Sequence, residues 1–513
     1  MTVSTIQDRS RFETTKRLLA QLVNEGFAIA ILIHQKIHFQ KSNDDKDIWI
    51  QVNLRHDTFI KTEGTQVLPP LRPECLQPPV FLGKGASETE ELEPGAIFRF
   101  IISWFTHITE ERVLETLADQ LGDTARMQVL PAHIPQMIAP SLSFVSVLHR
   151  DMRTTGPFEA TLEPLLRKLG IPNPKAKNTL LVPCLTQQVP AIIKNFKNAV
   201  VVAERASIAS AQASLRTISL QPELEFNYHL KLALACQITS AIRTVTPWTT
   251  GQGLAISNLL QKLLPVDLWV FREVAAITGR QENFDAAKQF SCVLREDLEP
   301  RARLNNETLV VAAALMEQHP KDGKTYPERL FKLESVEERK VWFRTYLSSL
   351  FKLILHPLVR HGIALEAHAQ NTVVRLCRDT GKIKGFAIRD FGGVKFHKST
   401  LRTQGYNLDW EIPGSLTLTD DLSSVWNLTS HTLLQCHVPS LLYGMRLENY
   451  GGWAIVYEEL ESVLATYKTD VSNALFEYLC DETVVLKSFL KMLIEGKYRE
   501  VRFQGFSYFL FGG

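Results

Sequence analysis

The sequence predicts an α+β protein of three domains, the last of them mostly helical. Three observations carry this reading. The chain has 513 residues, 45% of them apolar, which is enough for several cores at roughly 150 residues per domain. Strand-like runs occupy the middle, at Thr179 to Val182 and Ala199 to Val202. Long helical patterns follow residue 327 and are broken by one hairpin near residue 380. Turn-rich stretches mark the boundaries, at Gly170-Ile-Pro-Asn-Pro-Lys175 and from His319 to Pro327. The expected domains are 1–178, 179–322 and 323–513.

Taken in order, Phe12, Leu18, Leu19, Leu22 and Val23 recur at helical spacing, and Gly26 can end that helix. Pro69, Pro70, Pro73, Pro78 and Pro79 read as an ordered surface loop. Residues 100–150 offer no clear site. His149-Arg-Asp151 copies a kinase tripeptide, but Gly156 stands where a kinase needs Asn, so a solvated turn is expected.

Charge nearly cancels, with 57 Lys and Arg against 55 Asp and Glu, and a nucleic-acid binder would show a basic bias. Seven scattered cysteines include no Cys-x-x-Cys pair, which disfavours zinc and suits a reducing compartment. The start lacks a basic region followed by an apolar run. No apolar stretch approaches the ~20 residues of a membrane helix. A cytoplasmic chain without membrane or nucleic-acid partners is the expectation.

Two constellations carry chemistry. The first is basic. Ser214-Leu-Arg216-Thr217 precedes a strand in which Lys231 stands opposite Leu230 and Leu232, so a half-buried strand aims an ammonium at something. Thr239 and Arg243 are spaced to share a face if Ile238 to Thr244 is helical. Arg216, Lys231 and Arg243 fit a triphosphate or a polycarboxylate. The alternative is a set of ion-paired surface residues. No Gly-Lys-Ser/Thr phosphate loop occurs.

The second is a hairpin. Glu366-Ala-His368-Ala-Gln370-Asn371 precedes Thr-Val-Val-Arg-Leu-Cys377, a turn at Asp379-Thr-Gly-Lys382, and Gly-Phe-Ala-Ile-Arg389-Asp390-Phe-Gly. A two-residue turn at Thr380-Gly381 would set Asn371 beside Asp390. Amide and carboxylate oxygens suit magnesium, in the order kinases use, Asn then Asp-Phe-Gly. Glu366 stands where a kinase places its catalytic Asp. Glu366, His368 and Gln370 alternate, so they share one face of an extended segment.

Ser-Leu-Arg-Thr, the Lys231 strand, Thr-Ser-Ala-Ile-Arg-Thr, Gly-Ile-Ala-Leu-Glu-Ala-His-Ala-Gln-Asn and Ile-Arg-Asp-Phe occur in this order. Together they resemble the signatures of the NRPS-independent siderophore synthetases, the IucA/IucC family, over about residues 200 to 400. The resemblance implies a hand of thumb, fingers and palm, with a basic phosphate-binding cluster in the fingers and a magnesium and ATP site in the palm. It implies that ATP adenylates a carboxylate, usually citrate, and that an amine or hydroxyl attacks the acyl-adenylate. Ser214, Arg216, Thr217, Lys231 and Arg243 would then hold ATP, together with His368, Gln370, Asn371 and Asp390. Glu366, Asn371 and Asp390 would hold Mg2+. Thr239, Arg243 and Lys487 would touch substrate, with Arg243, His368 and Lys231 catalytic. A homodimer is allowed. The family's N-terminal His-Pro segment is missing: the region reads Gly156-Pro-Phe-Glu-Ala-Thr-Leu-Glu-Pro-Leu-Leu-Arg-Lys168. A changed substrate, a non-catalytic member and a kinase-like phosphotransferase stay open as alternatives.

Overall fold

The computed structural model describes residues 5–41, 47–56, 58, 60–127, 134–172, 178–235, 237–238, 241–319, 321–481, 483–495 and 502–506. Helices and strands are mixed throughout. They form two compact units, Met1–Ile134 with Asp481–Gly513, and Pro135–Cys480, where the sequence suggested three domains.

In the first unit the helix Ile6–Asn24 starts at Thr5, whose hydroxyl accepts from Asp8 N at 3.1 Å, and ends before Gly26 at φ 75. Phe12, Leu18, Leu19, Leu22 and Val23 are buried as their spacing requires. They share one core with Ile37, Phe39, Ile50, Val52 and Val80 of a seven-stranded antiparallel sheet. The expected proline loop is in its second half the strand Leu76–Lys84. Its pairing shifts between Val52 and Asn53, beside Pro78 and Pro79, where a residue without an N–H can be tolerated.

The second unit holds a six-stranded sheet and a four-stranded sheet that position the chemistry. In the first, Tyr228–Leu232 pairs with Ser291–Glu296, which pairs with Glu273–Gly279. Leu230, Leu232, Leu294, Cys292 and Ile277 bury one face. Side chains alternate along a strand, so Lys231, Arg295 and Glu273 stand on the other. In the second sheet Leu268–Val270 runs parallel to Ile383–Ile388, which pairs antiparallel with Thr372–Cys377. Phe271 N then bonds Ile388 O at 3.0 Å. That bond sets the end of the hairpin beside the start of the Glu273 strand.

Sheet pairing crosses both expected boundaries. Thr179–Leu185 pairs with Ser141–Leu148 across residue 178, and Glu307–Val311 pairs with Thr372–Cys377 across residue 322. Polar turns there are loops within sheets. His149–Asp151 is an exposed 3-10 turn, as expected.

Candidate active site

The basic cluster and the hairpin meet at Asp390. Lys231 Nζ lies 2.7 Å from Asp390 Oδ1 and 4.0 Å from Glu273 Oε1. Arg295 Nη2 lies 3.4 Å from the same Glu273 oxygen. The Lys231, Glu273 and Arg295 side chains are each 2% exposed, and that of Asp390 is 27% exposed. A second bridge joins the two regions: Gln370 Nε2 donates to Ala213 O at 2.6 Å, one residue before Ser214. Thr217 pairs with Lys231 across the strands. Arg216 donates to Thr244 O and so holds the segment that follows Arg243.

The electrostatics follow from this crowding. Burial alone would raise the Asp390 carboxyl, but Lys231, Arg295 and Arg216 hold it well below the usual carboxylate range. Burial pulls the Lys231 ammonium down, against the opposing pull of Asp390 and Glu273. Burial and neighbouring Arg295 lower Arg389 to about 10. Arg216, Lys231, Arg295 and Arg389 thus gather around Asp390 and Glu273, a concentration of positive charge suited to a polyphosphate.

Two local expectations need correction. Asn371 stands opposite Arg389, not Asp390: Thr372 pairs with Ile388, and Arg389 N bonds Asn371 O at 3.2 Å. The turn is longer than two residues, since Cys377 N bonds Lys382 O at 2.9 Å, and a register shift follows at Arg375 and Leu376. Asp390, at φ 69, leaves the strand line and turns its carboxylate to Lys231. The helical spacing considered for 238–244 does not hold: among the described residues Gln237 pairs with Ile242 and Ile238 with Ala241 as short antiparallel strands, in keeping with the β-branched Ile238 and Ile242. Arg243 is therefore reached along a strand and not across a helical turn. It is half-buried, and among the described residues its guanidinium has no ion-pair partner. Thr239 and the side chain of Lys487 lie outside the described residues.

The segment before the hairpin keeps its alternation in burial. Leu365, Ala367 and Ala369 are buried, while Glu366, His368 and Gln370 are more open. The segment is not extended, because Ala367 N bonds Leu365 O at 2.8 Å and Asn371 N turns back to His368 O at 2.9 Å. Burial lowers His368, partly offset by Asp390, so this imidazole is neutral near pH 7.

The donor set can be tested for magnesium. Asn371 Nδ2 donates to Glu366 O at 3.3 Å, which leaves its Oδ1 to act as a ligand. Glycine at 393 makes room for the Glu366 carboxylate, since a Cβ there would lie 2.3 Å from Oε2. Carboxylate and amide oxygens of this kind fit a hard cation that completes its shell with water and phosphate. Among the described residues no three His, Cys, Asp or Glu side chains form a metal centre by themselves.

Sequence reasoning missed Arg295, Glu273 and Arg389. Arg295 and Arg389 each stand beside a second charge, Glu296 and Asp390, and Glu273 opens its strand, so none of them shows the lone charge between apolar neighbours that exposed Lys231.

The chain matches the model of the IucA / IucC family over residues 185–317 and that of the ferric iron reductase FhuF-like transporter over residues 340–499. It is 35% identical to the NRPS-independent siderophore synthetase-like protein ankE of Aspergillus thermomutatus, over 96% of this chain and 92% of that protein. The fold is shared with the petrobactin biosynthesis protein AsbB of Bacillus anthracis str. Sterne, at TM-score 0.77 and 17% identity over 99% of this chain and 96% of that one. It is shared too with ATP-bound aerobactin synthetase IucA of Klebsiella pneumoniae, at TM-score 0.73 and 14% identity over 97% and 99%. The chain belongs to the NRPS-independent siderophore synthetase family.

Proposed function

We propose that the chain is an ATP-dependent ligase that adenylates a carboxylic acid, citrate or a related polycarboxylate, and condenses it with an amine or hydroxyl, within siderophore or related natural-product biosynthesis. The observation that carries this reading is the meeting of Lys231, Arg216 and Arg295 with Asp390 at the end of the hairpin. A carboxylate is a poor electrophile until one oxygen becomes part of a leaving group. Attack of that oxygen on the α-phosphorus breaks the bond to the β-phosphate and releases pyrophosphate. The nucleophile then forms its bond to the acyl carbon, and AMP departs with the electron pair of the broken C–O bond.

Each residue has a task in this scheme. Ser214, Arg216, Thr217 and Lys231 bind phosphate oxygens, and the cations offset charge that grows on phosphorus, commonly a large catalytic term. Arg243 bridges the carboxylate and the α-phosphate, with Thr239 and Lys487 assigned to substrate. His368, neutral beside Asp390, takes the proton that the amine gives up. Gln370 ties the hairpin segment to the strand start at Ala213. Mg2+ would be held by Asp390, Asn371 and Glu366 and would supply charge neutralisation on the polyphosphate.

A second reading, a kinase-like phosphotransferase, draws on the Lys231–Asp390 pair and the Asn371-to-Asp390 order. The two readings differ in product. Turnover with a panel of di- and tricarboxylates and amines should yield AMP and pyrophosphate. Formation of ADP instead would overturn the ligase reading.

A further inference from the structure

The segment from Leu365 to Asn371 carries four residues assigned above to ATP and magnesium, yet it has no sheet partner between Ala364 and Thr372. Its carbonyls are nonetheless all engaged. Leu365 O accepts from Ala367 N at 2.8 Å, His368 O from Asn371 N at 2.9 Å, Ala369 O from Ala313 N at 3.0 Å, and Asn371 O from Arg389 N at 3.2 Å. Glu366 O accepts from Asn371 Nδ2 at 3.3 Å, and Gln370 O from Arg389 Nη2 at 2.7 Å. The remaining one, Ala367 O, lies 2.9 Å from His437 Nδ1.

His437 is fully buried at the end of the π-helix Ser430–His437. A carbonyl only accepts, so Nδ1 carries the proton and Nε2 is left as an acceptor. Nε2 lies 2.9 Å from the Tyr346 hydroxyl, which therefore donates. Tyr346 is itself buried, in the long helix Val336–His361. Tyr346, His437 and Ala367 O form one directed chain from the core to the peptide that joins Ala367 to His368. Single π turns within helices occur often at functional sites, and Thr432 of the same π-helix reaches Leu365 O at 3.5 Å.

We propose that His437, oriented by Tyr346, is a positioning residue of the nucleotide site: by holding Ala367 O it fixes the peptide from which His368 projects, and with it the face shared with Glu366. This rests on the reading of Glu366, His368 and Asn371 as nucleotide- and magnesium-binding residues. Rotation of that peptide would exchange the open and buried sides of the segment.

The test is calorimetric binding of ATP with Mg2+ to the full chain, beside thermal melting of the same preparations. His437→Leu removes the donor. His437→Asn places an amide nitrogen where Nδ1 stands. Tyr346→Phe deletes one oxygen and keeps the packing. Loss of such a supporting contact typically costs about 10–100-fold in affinity or activity, so His437→Leu should weaken ATP binding about tenfold or more. Asn should restore affinity to within about threefold of the parent chain, because the carbonyl keeps its donor. If the Leu variant does not fold, Tyr346→Phe carries the test, with binding weakened more than about threefold at a nearly unchanged melting temperature. Equal affinity in the Leu, Asn and parent chains would overturn the proposal, as would losses that track melting temperature alone. Parent chain that binds ATP but catalyses no carboxylate-dependent pyrophosphate exchange would overturn the ligase reading, and the binding comparison would still decide this one. Parent chain that binds no ATP would overturn this inference with its premise.

Discussion

Lys231 has one carboxylate at 2.7 Å and a second at 4.0 Å, with its own side chain 2% exposed. Removing one member of a buried charge pair typically costs about 3–5 kcal/mol, because the partner is left uncompensated. Asp390 is partly open to solvent, so Lys231→Met should fall near the lower end, at about 3 kcal/mol in urea unfolding. Adding Asp390→Asn should recover part of that loss, and an unchanged single variant would show that the pair contributes nothing. Arg243 differs in having no ion-pair partner among the described residues. Arg243→Ala should slow carboxylate-dependent turnover by about a hundredfold, as for other donors that meet transition-state charge, while ATP binding changes little. Equal, modest losses in both would make Arg243 a phosphate anchor only. Lys231 was legible in the sequence because Leu230 and Leu232 flank it. Glu273 and Arg295 were not, because their partners stand on other strands and only the sheet brings them together.

The hairpin shows how an element can be legible while its register is not. Both strands and the turn at Gly381, φ 67, follow from β-branched residues and a turn signal. The longer turn moves the register by two residues and a bulge beyond Leu376 restores one; at that bulge stands Gly385, which at φ 146 lies so close to its neighbour that a Cβ would sit 2.2 Å from Asp267 O. Backbone on backbone cannot give way easily, so Gly385→Ala should cost about 3 kcal/mol by thermal or urea unfolding. A loss under about 1 kcal/mol would mean that the bulge relaxes. The π-helix carried no sequence signal at all, because its extra residue per turn is set by packing. Burial lowers its terminal His437 from 6.5 to about 4. Above about pH 6.5 both folded and unfolded chains hold this imidazole neutral. Below it the unfolded chain takes up a proton that the folded chain refuses, so stability falls as pH drops toward 4. The loss is on the order of 3 kcal/mol by linkage, and His437→Asn should remove that part of the pH dependence. Parallel stability curves for the two chains between pH 7 and 4 would contradict this.

At the scale of the whole molecule, mixed helix and strand content and the candidate site were within reach of the sequence, but the division of the chain was not. The segment after Asp481 returns to the first unit, where Leu490 and Ile494 join the N-terminal core and Glu25 accepts from Leu490 N and Lys491 N at 2.8 Å. Nothing in the composition of that segment marks a return over so long a span. Among the described residues no helix is long and apolar enough to cross a membrane, and the near-zero net charge gives no steering toward nucleic acid. The proposed activity comes down to one reaction, formation of an acyl-adenylate at Asp390 and its ring of cations. It is tested most directly by isotope exchange between labelled pyrophosphate and ATP, with the full chain, Mg2+ and a panel of polycarboxylates, and with no amine or alcohol present. Label should enter ATP only when a carboxylate that the chain accepts is added, because only a reversible adenylation returns pyrophosphate to the nucleotide. Exchange absent with every carboxylate, from a chain that binds ATP and releases ADP, would contradict the account.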